Sequence, residues 1–207
     1  MQLQQTVDTW CEAHPAIASY FETLNDHNIR WALFAGASVS LLTGNRTPTD
    51  IDIIVHDDDF ETVAQLTPGA EHKRPLVCDL PTGDGMAVRY RGDELVFELD
   101  GTEIEVMARA TNTIEGHVFA ISLTDVAVRH RISVTSSVTI YIADPFDTAA
   151  IKAIMQRGVE QHKFDFEDTK ALVAIAEFSA EYVAERSREI GLDDRALDFL
   201  RRAGLKV

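Results

Sequence analysis

The chain has 207 residues, 45% of them hydrophobic, with a formal net charge of −15 and two cysteines. That length and apolar content suffice for a packed core in one large or two small domains, and they exclude a disordered chain. No apolar run approaches the roughly 18 residues that span a bilayer, and no basic segment leads into an apolar one at the N-terminus, so a cytoplasmic protein without membrane contact is expected.

Cys11 and Cys78 lack metal-ligand spacing, and in a chain without secretion signals free thiols are expected rather than a disulfide. The negative charge is unevenly placed. Residues 1–151 carry 9 basic and 23 acidic side chains, whereas 152–207 carry 10 and 11, so a polyanion would approach the C-terminal part more easily.

In chain order, the apolar spacing of Ile17, Tyr20, Phe21 and Leu24 predicts a helix before Asn28 that covers one face of a sheet. Trp31 to Gly36 (WALFAG) reads as a buried strand ending on glycine, and Ser38 to Leu42 as the first turns of a helix. Gly36 is then either a tight turn or a place where backbone approaches a phosphate, helped by helix-start N–H groups and the Ser38 hydroxyl.

Asp50 to Val55 (DIDIIV) predicts a β-branched strand whose Asp50 and Asp52 leave one face, with Cα atoms roughly 7 Å apart. Two such carboxylates repel and lose hydration unless a cation lies between them, and Mg²⁺ suits hard oxygen ligands. The plain alternative is an exposed sheet edge.

His56 to Asp59 predicts a turn and N-cap for a helix through Phe60, Val63 and Leu66. Residues 71–94, broken by Pro75, Pro81, Gly83, Gly85 and Gly92, predict loops or short strands. Leu95 to Met107 around Asp100-Gly101 predicts a type I′ hairpin, with Glu103 and Glu105 on one face of its second strand. Thr124 to Ile132 reads as a short helix carrying Arg129, His130 and Arg131, a solvated end or a phosphate contact. Ser133 to Ala143 is β-rich. From Asp144 the pattern turns helical, with Asp144 or Asp147 as first cap, a second helix through Leu172, Ile175 and Phe178, and two more from Glu181, the last capped by Asp193 or Asp194.

The order glycine turn, helix, Arg46, Thr47, Thr49 and Asp50-Ile51-Asp52-Ile53 resembles the polymerase-β-like nucleotidyltransferase superfamily. Its wording is most similar to the antibiotic nucleotidyltransferases and to the abortive-infection toxin nucleotidyltransferases of type IV toxin–antitoxin pairs, although the chain has Gly36-Ala37 where many members have Gly-Gly or Gly-Ser. The resemblance implies an α/β fold with a small mixed sheet over 1–143 and a helical domain over 144–207. It also implies Asp50, Asp52 and a third carboxylate as catalytic groups and metal ligands. Ile104-Glu105-Val106 matches that third position better than the sequence around Glu103.

The same resemblance implies NTP contacts from Gly36, Ser38, Arg46 and Lys152, the last opening a segment, Lys152 to Asp168, that otherwise reads as surface charge pairing. The implied reaction is Mg²⁺-dependent transfer of a nucleoside monophosphate from an NTP, with two ions roughly 3.5 to 4 Å apart. The implied acceptor is an RNA end such as that of a transfer RNA, toward which the near-neutral C-terminal part with its patch Arg157, Lys163, Arg201 and Arg202 leans, or a small hydroxylated compound such as an antibiotic. A cognate antitoxin is a further partner expected for a toxin, and the rival expectation is a catalytically silent nucleotide-binding or toxin–antitoxin module.

Overall fold

The computed structural model of the chain describes residues 2–44, 48–119, 131–135 and 137–206. Its strands are β1 (Trp31–Leu33), β2 (Asp50–Val55), β3 (Glu71–Pro81), β4 (Ala87–Leu99), β5 (Thr102–Ile114), β6 (His117–Phe119), β7 (Ile132–Thr135) and β8 (Thr139–Ile142). They form one mixed sheet in the order β3-β4-β5-β2-β1-β8-β7, with β6 added beside β5. The helices are α1 (Gln2–Ala13), α2 (Pro15–Asp26), α3 (Ala35–Thr43), α4 (Phe60–Leu66), α5 (Pro145–Met155), α6 (Asp165–Ile175), α7 (Ala180–Ile190) and α8 (Asp194–Arg202).

At the centre, β2 is antiparallel to β1 and parallel to β5. Because side chains alternate along a strand, Ile51, Ile53 and Val55 enter one core, with Phe21 and Leu24 of α2 and Phe60 and Val63 of α4. Asp50, Asp52 and Ile54 leave the opposite face. There Ile54 joins Phe34, Phe146, Ile154, Leu172 and Leu200, so the C-terminal helices share a core with the sheet.

Local chemistry explains most element ends. Asp144 accepts the Phe146 N–H at 2.7 Å, and Pro145 stands at the first helical position, where its missing donor is harmless. Ser179 and Asp193 cap α7 and α8 in the same way. Asp59 precedes α4 but does not cap it, because its carboxylate is taken by Arg30, with Nε at 2.8 Å and the backbone N–H at 2.9 Å. Phe178 lies beyond the end of α6, stacked on Tyr182. Cys11 and Cys78 are free thiols.

The expected loops over 71–94 are instead two long antiparallel strands, β3 of 11 residues and β4 of 13. The breakers sit where pairing is interrupted. Pro75 lies in the register shift between Lys73 and Leu76, Gly92 in the shift between Arg91 and Asp93, and Gly83 and Gly85 in the turn. The Asp100-Gly101 hairpin has both residues at positive φ, 52° and 71°, as a type I′ turn requires. The expected helix over 124–132 lies outside the described residues, save that Ile132 opens β7. Arg131 is structural, donating to the Trp31 carbonyl at 2.8 Å and stacking over Tyr141.

The β3–β4 turn docks on the C-terminal helices. Gly83 N–H donates to the Met155 carbonyl at 3.0 Å, and Arg195 donates to Asp84 at 2.7 Å and to the Ile154 carbonyl at 2.6 Å. A Cβ on Gly83 would stand 1.6 Å from the Gln156 carbonyl oxygen, so only glycine fits. Gly83→Ala is therefore expected to lower stability by about 1–3 kcal/mol. In a thermal melt, that is a fall of several degrees; an unchanged melting temperature would show that the turn does not need this contact.

Candidate active site

Asp52 and Glu105 are register partners on the parallel strands β2 and β5, and Asp50 opposes Glu103 one step earlier. Asp50, Asp52 and Glu105 line a cavity of about 430 Å³ closed by Ile151, Lys152 and Met155 of α5 and by Arg157, His162, Lys163 and Phe164 that follow it. Glu103 is exposed and does not line it.

The start of α3 reaches the same cavity through Phe34, Ala35 and Gly36, held there by the Phe34 N–H on the Asp52 carbonyl at 2.9 Å. Gly36 is the second residue of α3 rather than the end of the preceding strand, since β1 stops at Leu33. Ala35, at φ 44°, makes the sharp turn expected of the glycine. Ser38 is not brought to the cavity. One helical turn on, its hydroxyl is buried, donates to the Ala35 carbonyl at 2.9 Å and lies 3.2 Å from the Thr148 hydroxyl, tying α3 to α5. Arg46 lies outside the described residues.

Lys152 is buried, with its Nζ 2.8 Å from Asp168 and 3.3 Å from Asp165. Asp165 also takes the Arg157 Nε at 3.1 Å and the Arg157 N–H at 2.8 Å. Lys163 stands 3.9 Å from Asp50, and Lys73 the same distance from Glu94. With those pairings made, Asp52 and Glu105 are left without a hydrogen-bond or ion-pair partner among the described residues.

Their protonation shows the consequence. Burial first, then the neighbouring Asp50 and Glu105 charges, pushes the Asp52 carboxyl up to about 7, with Lys163 and Lys152 opposing. Burial, with Glu94, Glu103 and Asp50 beside it, also raises Glu105. Among the described residues no group of three or more His, Cys, Asp or Glu side chains is closed on a single ion position. The donor set nevertheless fits Mg²⁺, which takes one or two carboxylates and completes its shell with water and substrate phosphates.

The residues that sequence patterns missed are Lys73, Cys78, Tyr90, Glu94 and Asn112, which line the same cavity from β3, β4 and β5. Their meeting follows from strand pairing, with Tyr90 between Cys78 and Asn112 and Glu94 between Lys73 and Met107. Only recognition of the β3–β4 hairpin could have revealed it.

No protein-family model matches the chain, and no curated protein does. Among solved structures, the crystal structure of a "putative nucleotidyltransferase" from Thermotoga maritima is similar. It is 16% identical, with a TM-score of 0.46, over 70% of this chain and 84% of that one. No helix among the described residues is long and apolar enough to cross a membrane.

Proposed function

We propose that the chain is a Mg²⁺-dependent nucleotidyltransferase that moves a nucleoside monophosphate from an NTP to an acceptor hydroxyl. One observation carries this: Asp52 and Glu105 face each other across adjacent strands in a cavity where the other charges are paired. Two uncompensated carboxylates in a sheltered cleft form a seat for a divalent cation. The motif resemblance at Asp50-Ile51-Asp52-Ile53 supports the same assignment.

Asp50, Asp52 and Glu105 would hold the metal, which when bound would neutralise the triphosphate and stabilise the leaving pyrophosphate. The N–H groups at the start of α3, around Gly36, would donate to phosphate oxygens, and Lys163, which lines the same cavity, would add a cation. Glu105, its carboxyl raised, is suited to take the acceptor's proton. The acceptor oxygen then bonds to the α-phosphorus as the bond to the β-phosphate bridging oxygen breaks, and pyrophosphate departs with that electron pair.

Of the two acceptor classes, charge favours a small hydroxylated compound over an RNA end. Of the cations Arg157, Lys163, Arg201 and Arg202 that the expected RNA contact would use, three are engaged: Arg157 is tied to Asp165, Lys163 faces Asp50 and Arg202 pairs with Asp198.

The test is pyrophosphate release with each labelled NTP, Mg²⁺ and a small-molecule or RNA extract. Glu105→Gln is expected to slow release by roughly 10²-fold or more, the scale of a lost general base, while Glu103→Gln stays within about twofold. NTP binding without release would favour the silent module instead.

A further inference from the structure

We propose that Lys163 couples the entry of the metal to that of the triphosphate: its ammonium holds Asp50 against a bare divalent ion and releases it when a triphosphate arrives to take the ammonium instead. The inference rests on the nucleotide reading of the same cavity and adds the order in which that cavity fills.

Two cations have a claim on Asp50. It is one of the three carboxylates proposed for the metal, and the Lys163 ammonium stands 3.9 Å from its Oδ2. Of the two lysines that oppose the rise at Asp52, Lys163 is also the stronger. A divalent ion seated on Asp50 and Asp52 would therefore lie beside a unit positive charge, and like charges at that range repel. Metal and ammonium compete for one seat.

The neighbouring cations cannot make the same exchange. Lys152 lies 2.8 Å from Asp168 and Arg157 donates to Asp165 at 3.1 Å, and both carboxylates are fully buried, so neither cation leaves without stranding charge. Lys73, on β3, is separated from the strand of Asp50 by β4 and β5.

Lys163 is built differently. Its side chain is 45% exposed, and among the described residues its ammonium makes no hydrogen bond and only this loose ion pair. Its backbone, by contrast, is fixed. The Lys163 N–H donates to the Gly158 carbonyl at 3.1 Å, the His162 N–H to the Val159 carbonyl at 3.0 Å, and the Asp165 N–H to the Arg157 carbonyl at 3.2 Å, which closes the segment on itself. The ammonium can therefore move on its flexible four-carbon stem while the loop stays in place. The start of α3, where phosphate oxygens are proposed, lines the same cavity. A triphosphate there offers the ammonium a stronger anion than Asp50, and Asp50 is freed for the metal that the triphosphate carries in.

The experiment is isothermal titration of the full chain with Mg²⁺ alone, and with inorganic tripolyphosphate at saturating Mg²⁺, for the wild type, Lys163→Met and Lys163→Arg. Because the side chain is exposed and loosely paired, both variants should melt with the wild type. Lys163→Met is expected to bind Mg²⁺ alone about threefold or more tighter, the scale of one exposed charge contact. The same variant should bind tripolyphosphate about tenfold or more weaker, the scale of a lost hydrogen bond to a charged group. Lys163→Arg keeps the charge and should stay near the wild type in Mg²⁺ affinity. An affinity for Mg²⁺ that fails to rise in the Met variant, or rises as much in the Arg variant, would overturn the coupling while leaving the metal and triphosphate sites standing, as would tripolyphosphate binding that survives the Met substitution. A wild type that binds neither tripolyphosphate nor any NTP in Mg²⁺ would overturn the nucleotide reading and this inference with it.

Discussion

Asp52→Asn is expected to lower nucleotide transfer by on the order of 10³-fold, the loss found when one preorganised group acting on developing charge is removed, while the fold becomes no less stable. Asparagine keeps the shape of the side chain and discards a charge that stands unpaired among Asp50 and Glu105. The stability effect depends on pH. The folded-state value of about 7 lies above the ordinary 3.8, so below about pH 4 both folded and unfolded chains hold the proton and the carboxyl contributes nothing unfavourable. Between pH 4 and 7 the unfolded chain has released the proton while the folded chain still holds it, so stability falls as pH rises and levels off above 7. The melting temperature of the Asn variant should therefore exceed that of the wild type by a margin that grows from pH 4 to 7. Added Mg²⁺ above pH 7 should narrow the gap by stabilising only the wild type. A variant that retains a tenth of the transfer activity, or a melting difference that is flat with pH, would remove Asp52 from the centre of the site.

How much of this was legible in the sequence follows from how local each signal is. The β-branched strand with Asp50 and Asp52, the Asp100-Gly101 hairpin and the caps at Asp144 and Asp193 are each written within a few consecutive residues, and each is found where those residues predict. The strands β3 and β4 were hidden because their outward residues are charged and because two of the breakers, Pro75 and Gly92, mark bulges within the strands rather than their ends. Ser38 was misplaced for a similar reason, since its spacing after Gly36 suits a phosphate but its helical phase points it at Thr148. The cavity's second half was beyond local reading altogether. Tyr90 meets Asn112 only through strand register, and Lys163 reaches Asp50 from the far end of the chain.

Lys152 carries the second large expectation, because the structure gives it a task besides the nucleotide contact proposed for it. Its ammonium compensates Asp165 and Asp168, which are both fully buried, and Arg157 reaches only Asp165. Lys152→Met would therefore remove the ammonium that stands 2.8 Å from Asp168 and 3.3 Å from Asp165, a change that costs about 3–5 kcal/mol when one partner of such a buried pair is removed. For a chain of this size the melting temperature should fall by roughly 10 °C or more. Asp168→Asn added to Lys152→Met removes the buried charge closest to the lost ammonium, so at least half of that loss should return, as expected for two residues in direct contact. Tripolyphosphate affinity measured on the restored double variant then isolates the lysine's own contact with phosphate, since folding no longer differs. A reduced affinity there assigns Lys152 both tasks. An unchanged melting temperature in the single Met variant would instead show that the buried carboxylates do not depend on Lys152.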